Sequence, residues 1–139
     1  MEQLTVPATL ESLGVIGKYV LAAAAEAGLD KKSSYRLRLA VDEIATNIVD
    51  YGYPQTGREG DVVVKACLEP DKLTIVIEDS AVPFDPRQRA RPISMDLPLE
   101  ERPIGGLGVY LAVEGVDEFQ YEYVGKHNRN IFIMKRPAA

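Results

Sequence analysis

The period of the apolar residues changes once along this chain, and that change limits the folds open to it. Between residues 10 and 48 the apolar positions recur at helical spacing: Leu10, Leu13, Ile16, Val20 and Ala24, then Leu37, Ala40, Val41, Ile44 and Ile48. Each set falls on one face of a helix. From residue 62 the period is two. Val62, Val64, Ala66 and Leu68 alternate with Val63, Lys65, Cys67 and Glu69, and Leu73, Ile75 and Ile77 resume the alternation beyond a turn at Glu69-Pro70-Asp71-Lys72. Two strands so close in sequence pair as an antiparallel hairpin. Phe119, Tyr121 and Tyr123, a turn over residues 125–128, and Ile131 to Met134 predict a second hairpin. Helices followed by sequential hairpins imply an α/β fold: a two-layer sandwich with a mostly antiparallel mixed sheet and helices on one face.

Boundary signals refine this layout. Leu4 to Pro7 reads as a short extra strand, and Gly28 is a plausible stop for the first helix. Asp30 or Ser33 can cap the second helix, which is expected to end near Tyr51-Gly52 because Pro54 forbids continuation. Residues 81–104 carry no period and five of the nine prolines. Compact domains rarely hold an irregular loop longer than about 12–15 residues unless it is functional or disordered. We therefore expect a loop that is mobile over residues 87–104 in the empty protein. A helical run through Leu111 and Val113 follows it. With no repeat and no linker, a single domain over residues 1–139 is expected.

The totals exclude several functions. Sixteen basic against 21 acidic residues give a net charge of -5, which disfavours a grip on nucleic acid, where a basic face must displace counterions. The longest apolar stretch, around Tyr19 to Ala25, is too short to span a bilayer, and the amino terminus shows no signal pattern. The single cysteine, Cys67, fits a reducing compartment and is expected as buried filler in its strand. A cytoplasmic protein with no direct nucleic-acid or membrane partner is the expectation.

Candidate chemistry falls at three places. Glu43 and Asn47 stand four apart on the second helix, one above the other, and flank its apolar stripe. A carboxylate and a carboxamide there can accept a proton and offer a hard oxygen to Mg²⁺, although such a pair is more often a solvated helix edge. Asp79 ends the first hairpin, where a carboxylate can accept from an amino group or cap the loop; Asp85, in Phe84-Asp85-Pro86, fits a turn initiator. Gly105-Gly106-Leu107-Gly108 precedes the helical run, so its backbone can approach an anion at a helix start. His127, with no second histidine or cysteine nearby, reads as an exposed turn residue, and Tyr51 and Tyr53 as packing.

These segments resemble the motifs of the GHKL (histidine-kinase-like) ATP-binding superfamily, in order. Val41-Asp42-Glu43-Ile44-Ala45-Thr46-Asn47, running on to Tyr51-Gly52-Tyr53, is similar to its N-box. Residues Ile77 to Pro86 resemble its first glycine box, and Gly105 to Leu111 its second. The short chain and the Phe-Asp-Pro and Gly-Gly-Leu-Gly wording look most like the anti-sigma-factor serine kinase branch. The resemblance implies a Bergerat-type ATP-binding fold with ATP and Mg²⁺ as cofactors and a lid over about residues 81–104. Glu43 would be the general base and Asn47 the Mg²⁺ ligand. Asp79 would hold the adenine amino group, with Ala81 and Phe84 also at the nucleotide, and Gly105, Gly106, Leu107 and Gly108 would wrap the phosphates. It also implies a sigma factor and a serine-bearing antagonist protein as partners, and self-pairing as a homodimer. The other reading is an ATP/ADP-binding regulatory module that controls a partner without phosphoryl transfer. Two positions depart from the pattern: Ala81 replaces the usual glycine of the first box, and Tyr51 a frequent histidine after the N-box.

Overall fold

The computed structural model describes residues 1–88 and 113–137. The chain runs through β1 (Leu4–Pro7), α1 (Leu10–Glu26), α2 (Lys31–Asn47), a π-helical turn (Ile48–Gly52) and α3 (Tyr53–Thr56). It continues through β2 (Asp61–Leu68), β3 (Lys72–Asp79), a single 3-10 turn (Pro86–Gln88), β4 (Glu118–Val124) and β5 (His127–Lys135). Both hairpins fall where the period-two pattern predicts, and the short first strand falls at Leu4–Pro7 as expected. The five strands form one sheet in the order β1-β2-β3-β5-β4, antiparallel at every pairing. Strand β5, the latest in sequence, thus lies inside the sheet between β3 and β4.

Alternation decides which face is covered. Leu73, Ile75, Ile77 and Asp79 of β3 point inward, as do Val62 and Val64 of β2 and Asn128, Asn130, Phe132 and Met134 of β5. Against this face lie Ile16 and Val20 of α1 and Leu37, Val41 and Ile44 of α2, all fully or almost fully buried. Each large aliphatic side chain so buried contributes roughly 1.5–3 kcal/mol relative to exposure. The opposite face carries charge. Glu78 pairs with Lys65 and with Arg129 at 3.1 Å each, and Arg129 also reaches Glu122 at 2.9 Å. Glu78, Arg129 and Glu122 are direct cross-strand partners, so the row favours one register more than it adds stability.

The helix stripes hold except at the first position: Leu10 is exposed, and the inward face of α1 begins at Ser12. Of the two cap candidates, Asp30 is the cap, its carboxylate accepting from the Ser33 N–H at 2.7 Å. The hairpin turn of β4 and β5 places Gly125 and Lys126 at positive φ of 59° and 66°, the geometry that lets a two-residue turn follow the twist of its strands.

Two expectations are corrected. Cys67 is exposed, because it shares the outward parity of Val63 and Lys65 while Val62 and Val64 take the core. Pro54 does not end the helical path. The chain first widens into the π turn, where the Tyr53 N–H donates to the Ile48 carbonyl, and Pro54 then sits in the opening turn of α3. Proline is tolerated there because a first-turn N–H has no helical partner to lose. Residues 89–112, with the Gly105 to Gly108 run and most of the expected lid, lie outside the described residues. Among the described residues no helix is long and apolar enough to cross a membrane.

Candidate functional site

A cavity of about 250 Å³ opens where the end of α2 and the π turn meet the ends of β3 and β5. One wall is Ile44, Asn47, Ile48, Tyr51 and Gly52. Asp79, Asn128 and Asn130 line it from the sheet, and the segment after β3 closes it with Ala81 to Phe84. Single π turns inside helices recur at functional sites; here the wider turn carries Tyr51 and Gly52 on the cavity wall.

Asp79 is the chemical centre. It is only 3% exposed. Its Oδ1 accepts from the Ala81 N–H and from Asn128 Nδ2, each at 2.9 Å. Its Oδ2 is buried with no partner. Burial pushes the Asp79 carboxyl above the usual carboxylate range, against the opposing pull of the Asn128 and Ala81 hydrogen bonds and of nearby His127. An unpartnered buried carboxylate oxygen facing a cavity is a site for a ligand that donates a hydrogen bond.

Asn128, directly opposite Asp79 in the β3–β5 register, holds the site together. Its Nδ2 also donates to the Val82 carbonyl at 3.1 Å, and its Oδ1 accepts from the Phe84 N–H at 3.1 Å and from the Tyr121 hydroxyl. One buried amide therefore fixes the carboxylate, the segment after it and β4. Tyr53, also buried, braces the same segment. Its hydroxyl donates to the Asp61 carbonyl at 2.6 Å and accepts from the Ser80 N–H at 2.9 Å. Gly60 leaves the room this ring needs, since a Cβ there would lie 2.2 Å from it.

Of the residues singled out from sequence, Asn47, Asp79, Ala81 and Phe84 come together at this cavity. Glu43 lies one turn earlier on α2, half-buried, and is not among the lining residues. Asp85 does initiate a turn, accepting from the Arg87 N–H at 2.9 Å and pairing with its guanidinium at 2.8 Å. His127 is exposed at the start of β5, as expected of it. Tyr53 packs as expected, whereas Tyr51 is 46% exposed on the cavity wall. Asn128 and Asn130 escaped the sequence reading. Their signal was two amides at inward positions of a strand whose other inward positions are Phe132 and Met134.

The structure also shows where the Ala81 methyl goes. A Cβ built on Gly52 would lie 3.0 Å from the Ala81 Cβ, so the missing side chain at Gly52 makes the space the methyl occupies. Gly52 has helical angles, φ -60° and ψ -61°; its reason is close approach, not an unusual backbone. Gly52→Ala on its own gains helix propensity but meets the methyl, whereas in an Ala81→Gly background it keeps the whole gain of about 1 kcal/mol. We expect a coupling of about 1 kcal/mol between the two sites by urea denaturation of the four proteins; additive effects would disprove the contact.

Two helices over one antiparallel sheet, with a buried carboxylate at a strand end facing a cavity beside a helix-borne asparagine, define a small-ligand-binding α/β domain. The profile of the histidine kinase-like ATPase domain family matches residues 6–135, and the chain belongs to that family. Its relatives include the serine-protein kinase RsbW of Bacillus cereus, 28% identical over 121 residues that cover 85% of this chain and 74% of that protein. The serine-protein kinase RsbW of Halalkalibacterium halodurans is 31% identical over 112 residues, covering 78% and 67%. Among solved structures, the RsbU and RsbW domains of a Mycobacterium tuberculosis protein superpose with a TM-score of 0.64 at 17% identity. That match covers 99% of this chain and 34% of the solved one, and it concerns the fold.

Proposed function

We propose that this chain is an anti-sigma serine-protein kinase: it binds ATP with magnesium, phosphorylates a serine on an antagonist protein and sequesters a sigma factor. The observation that carries the nucleotide is the unpartnered Asp79 Oδ2 in the cavity, an acceptor placed for an exocyclic amino group. Asn47, at the last residue of α2 and on the cavity wall, offers a carboxamide oxygen. That suits magnesium, which takes few protein ligands and keeps its water and phosphate oxygens. Bound magnesium supplies charge neutralisation on the phosphates. Glu43 accepts the serine hydroxyl proton as the serine oxygen bonds the γ-phosphorus, the bond from that phosphorus to the bridging oxygen breaks, and ADP leaves. Gly105, Gly106, Leu107 and Gly108 wrap the phosphates in this reading, directly after a lid over about residues 81–104 of a single domain spanning residues 1–139. The proposed setting is the cytoplasm, and the chain pairs with a second copy of itself. The kinase names of its relatives support the reading.

A second reading has the same domain hold ATP or ADP and regulate a partner without transfer. The position of Glu43 outside the cavity lining favours it.

Calorimetric titration with ATP and magnesium tests the shared step. Wild type is expected to bind, and Asn47→Ala to weaken magnesium-ATP by about tenfold, the worth of one lost ligand contact. An absence of binding in wild type would remove both readings.

A further inference from the structure

A groove of about 330 Å³ runs between the two long helices, at the opposite end of α2 from the cavity. Leu21 and Ala25 of α1 and Leu29 of the connection form its apolar side, facing Lys31, Tyr35 and Arg38 of α2. Tyr35 is 63% exposed and Leu21 is exposed as well, and large apolar side chains left together in water mark an interaction surface. Residues 31–38 hold four of the sixteen basic residues and no acid, in a chain of net charge -5. Neither Lys31 nor Arg38 makes an ion pair among the described residues. Asp30 is engaged as the cap of α2, and Asp42, one turn beyond Arg38, pairs with neither cation. Both cations are held at a cost to their helices. The first turn of α2 has no acidic residue, and lysine there opposes the helix dipole. Gly17 is buried within α1, where glycine costs roughly 0.5–1 kcal/mol relative to alanine. A Cβ on it would lie 3.1 Å from the Arg38 Nε, so the glycine seats the guanidinium at the groove.

We infer that this groove docks an acidic amphipathic helix of a partner protein. Lys31 and Arg38 stand two helical turns apart on α2, about 10 Å along its axis. A helix lying along α2 meets both with carboxylates at the same seven-residue spacing. The turn between those carboxylates then lays its apolar side chains between Leu21 and Tyr35, the way an amphipathic helix fills a groove. The apolar contacts supply affinity, and the two ion pairs set register and partner choice. A neutral or basic helix of the same shape would cover two cations without pairing them, which selects against it. The inference does not rest on the nucleotide reading. Asn47, at the cavity, stands nine residues beyond Arg38 on α2, so groove and cavity can be filled together.

The test is fluorescence anisotropy of the full chain with three labelled synthetic peptides. The first is a helix with two glutamates at the Lys31–Arg38 spacing and leucines on the turn between them. The second replaces both glutamates by lysine, and the third scrambles the order of the first. Wild type is expected to bind the glutamate helix about tenfold more tightly than either of the others. Arg38→Glu should weaken the glutamate helix by about tenfold and tighten the lysine helix, a reversal that loss of folding cannot produce. Tyr35→Ala should weaken the glutamate helix by about tenfold through lost apolar contact. Equal affinity for the glutamate helix and its scrambled form would mean attraction by charge without a groove, and would overturn the assignment. Undiminished binding in Tyr35→Ala, or no binding of the glutamate helix to wild type, would also overturn it. Sedimentation of the chain alone covers the remaining occupant: self-association abolished by Arg38→Glu would give the groove to a second copy and remove the partner helix. Absence of ATP binding fells the nucleotide reading and leaves this one standing, and loss of peptide discrimination fells this one alone.

Discussion

Asp79→Asn is expected to lower ATP affinity by about a hundredfold while leaving the fold intact. The substitution keeps an oxygen where Oδ1 accepts from Ala81 and Asn128, so the strand end and the following segment stay in place. It exchanges the unpartnered Oδ2 for an N–H₂ that opposes the ligand's own donor, losing a charge-assisted hydrogen bond of about 1.5–3 kcal/mol. Stability should move the other way. Burial raises the folded-state pKa of Asp79, so the folded chain holds this proton more tightly than the unfolded chain. The contribution of the group is most favourable below its unfolded pKa, and it declines as pH rises through the raised folded pKa. Above the raised folded pKa the wild type carries a buried charge, and there Asp79→Asn should melt no lower than wild type and lose that pH dependence. ATP affinity of the wild type should fall as pH drops through the raised pKa, where Oδ2 gains a proton. Calorimetry and melting curves across pH read both quantities. A variant that binds ATP as wild type does would remove Asp79 from the site.

Glu43→Ala separates the two functional readings. As general base, Glu43 contributes about 10²–10⁴-fold to transfer, so phosphorylation of a serine-bearing antagonist should drop by that factor. Nucleotide affinity should hold, because Glu43 lies off the cavity lining. Unchanged phosphorylation in the variant would dismiss Glu43 as base. A wild type that binds ATP yet transfers nothing would leave the regulatory module.

Much of the fold was legible because burial here follows simple periods. The inward residues of β2 and β3 and the stripe of α2 were readable position by position. Cys67 was misread when its residue type was weighed above its parity in the alternation. Pro54 was misread because the rule against proline within helices presumes regular α geometry, and a π turn resets the count of donors before it. The cavity lining was legible where spacing on one element places a residue, as with Asn47, or where a strand ends, as with Asp79. Asn128 and Asn130 matter through what lies opposite them on a strand about fifty residues away, and local pattern does not show which strand that will be. The space for Ala81 depended likewise on Gly52, nearly thirty residues earlier.

The placement of β5 bears on when the cavity comes into being. Asp79 and Asn128 are 49 residues apart, and their hydrogen bond exists only once the latest strand has slid in beside β3. Pairing between such distant segments is slow, because the closure entropy must be met before the contacts return it. A chain still emerging during synthesis, or one arrested with only α1, α2, β2 and β3 assembled, has the Asp79 carboxylate without Asn128 to orient it or Asn130 beside it. Any ligand held by this cavity would therefore report on completed sheet assembly.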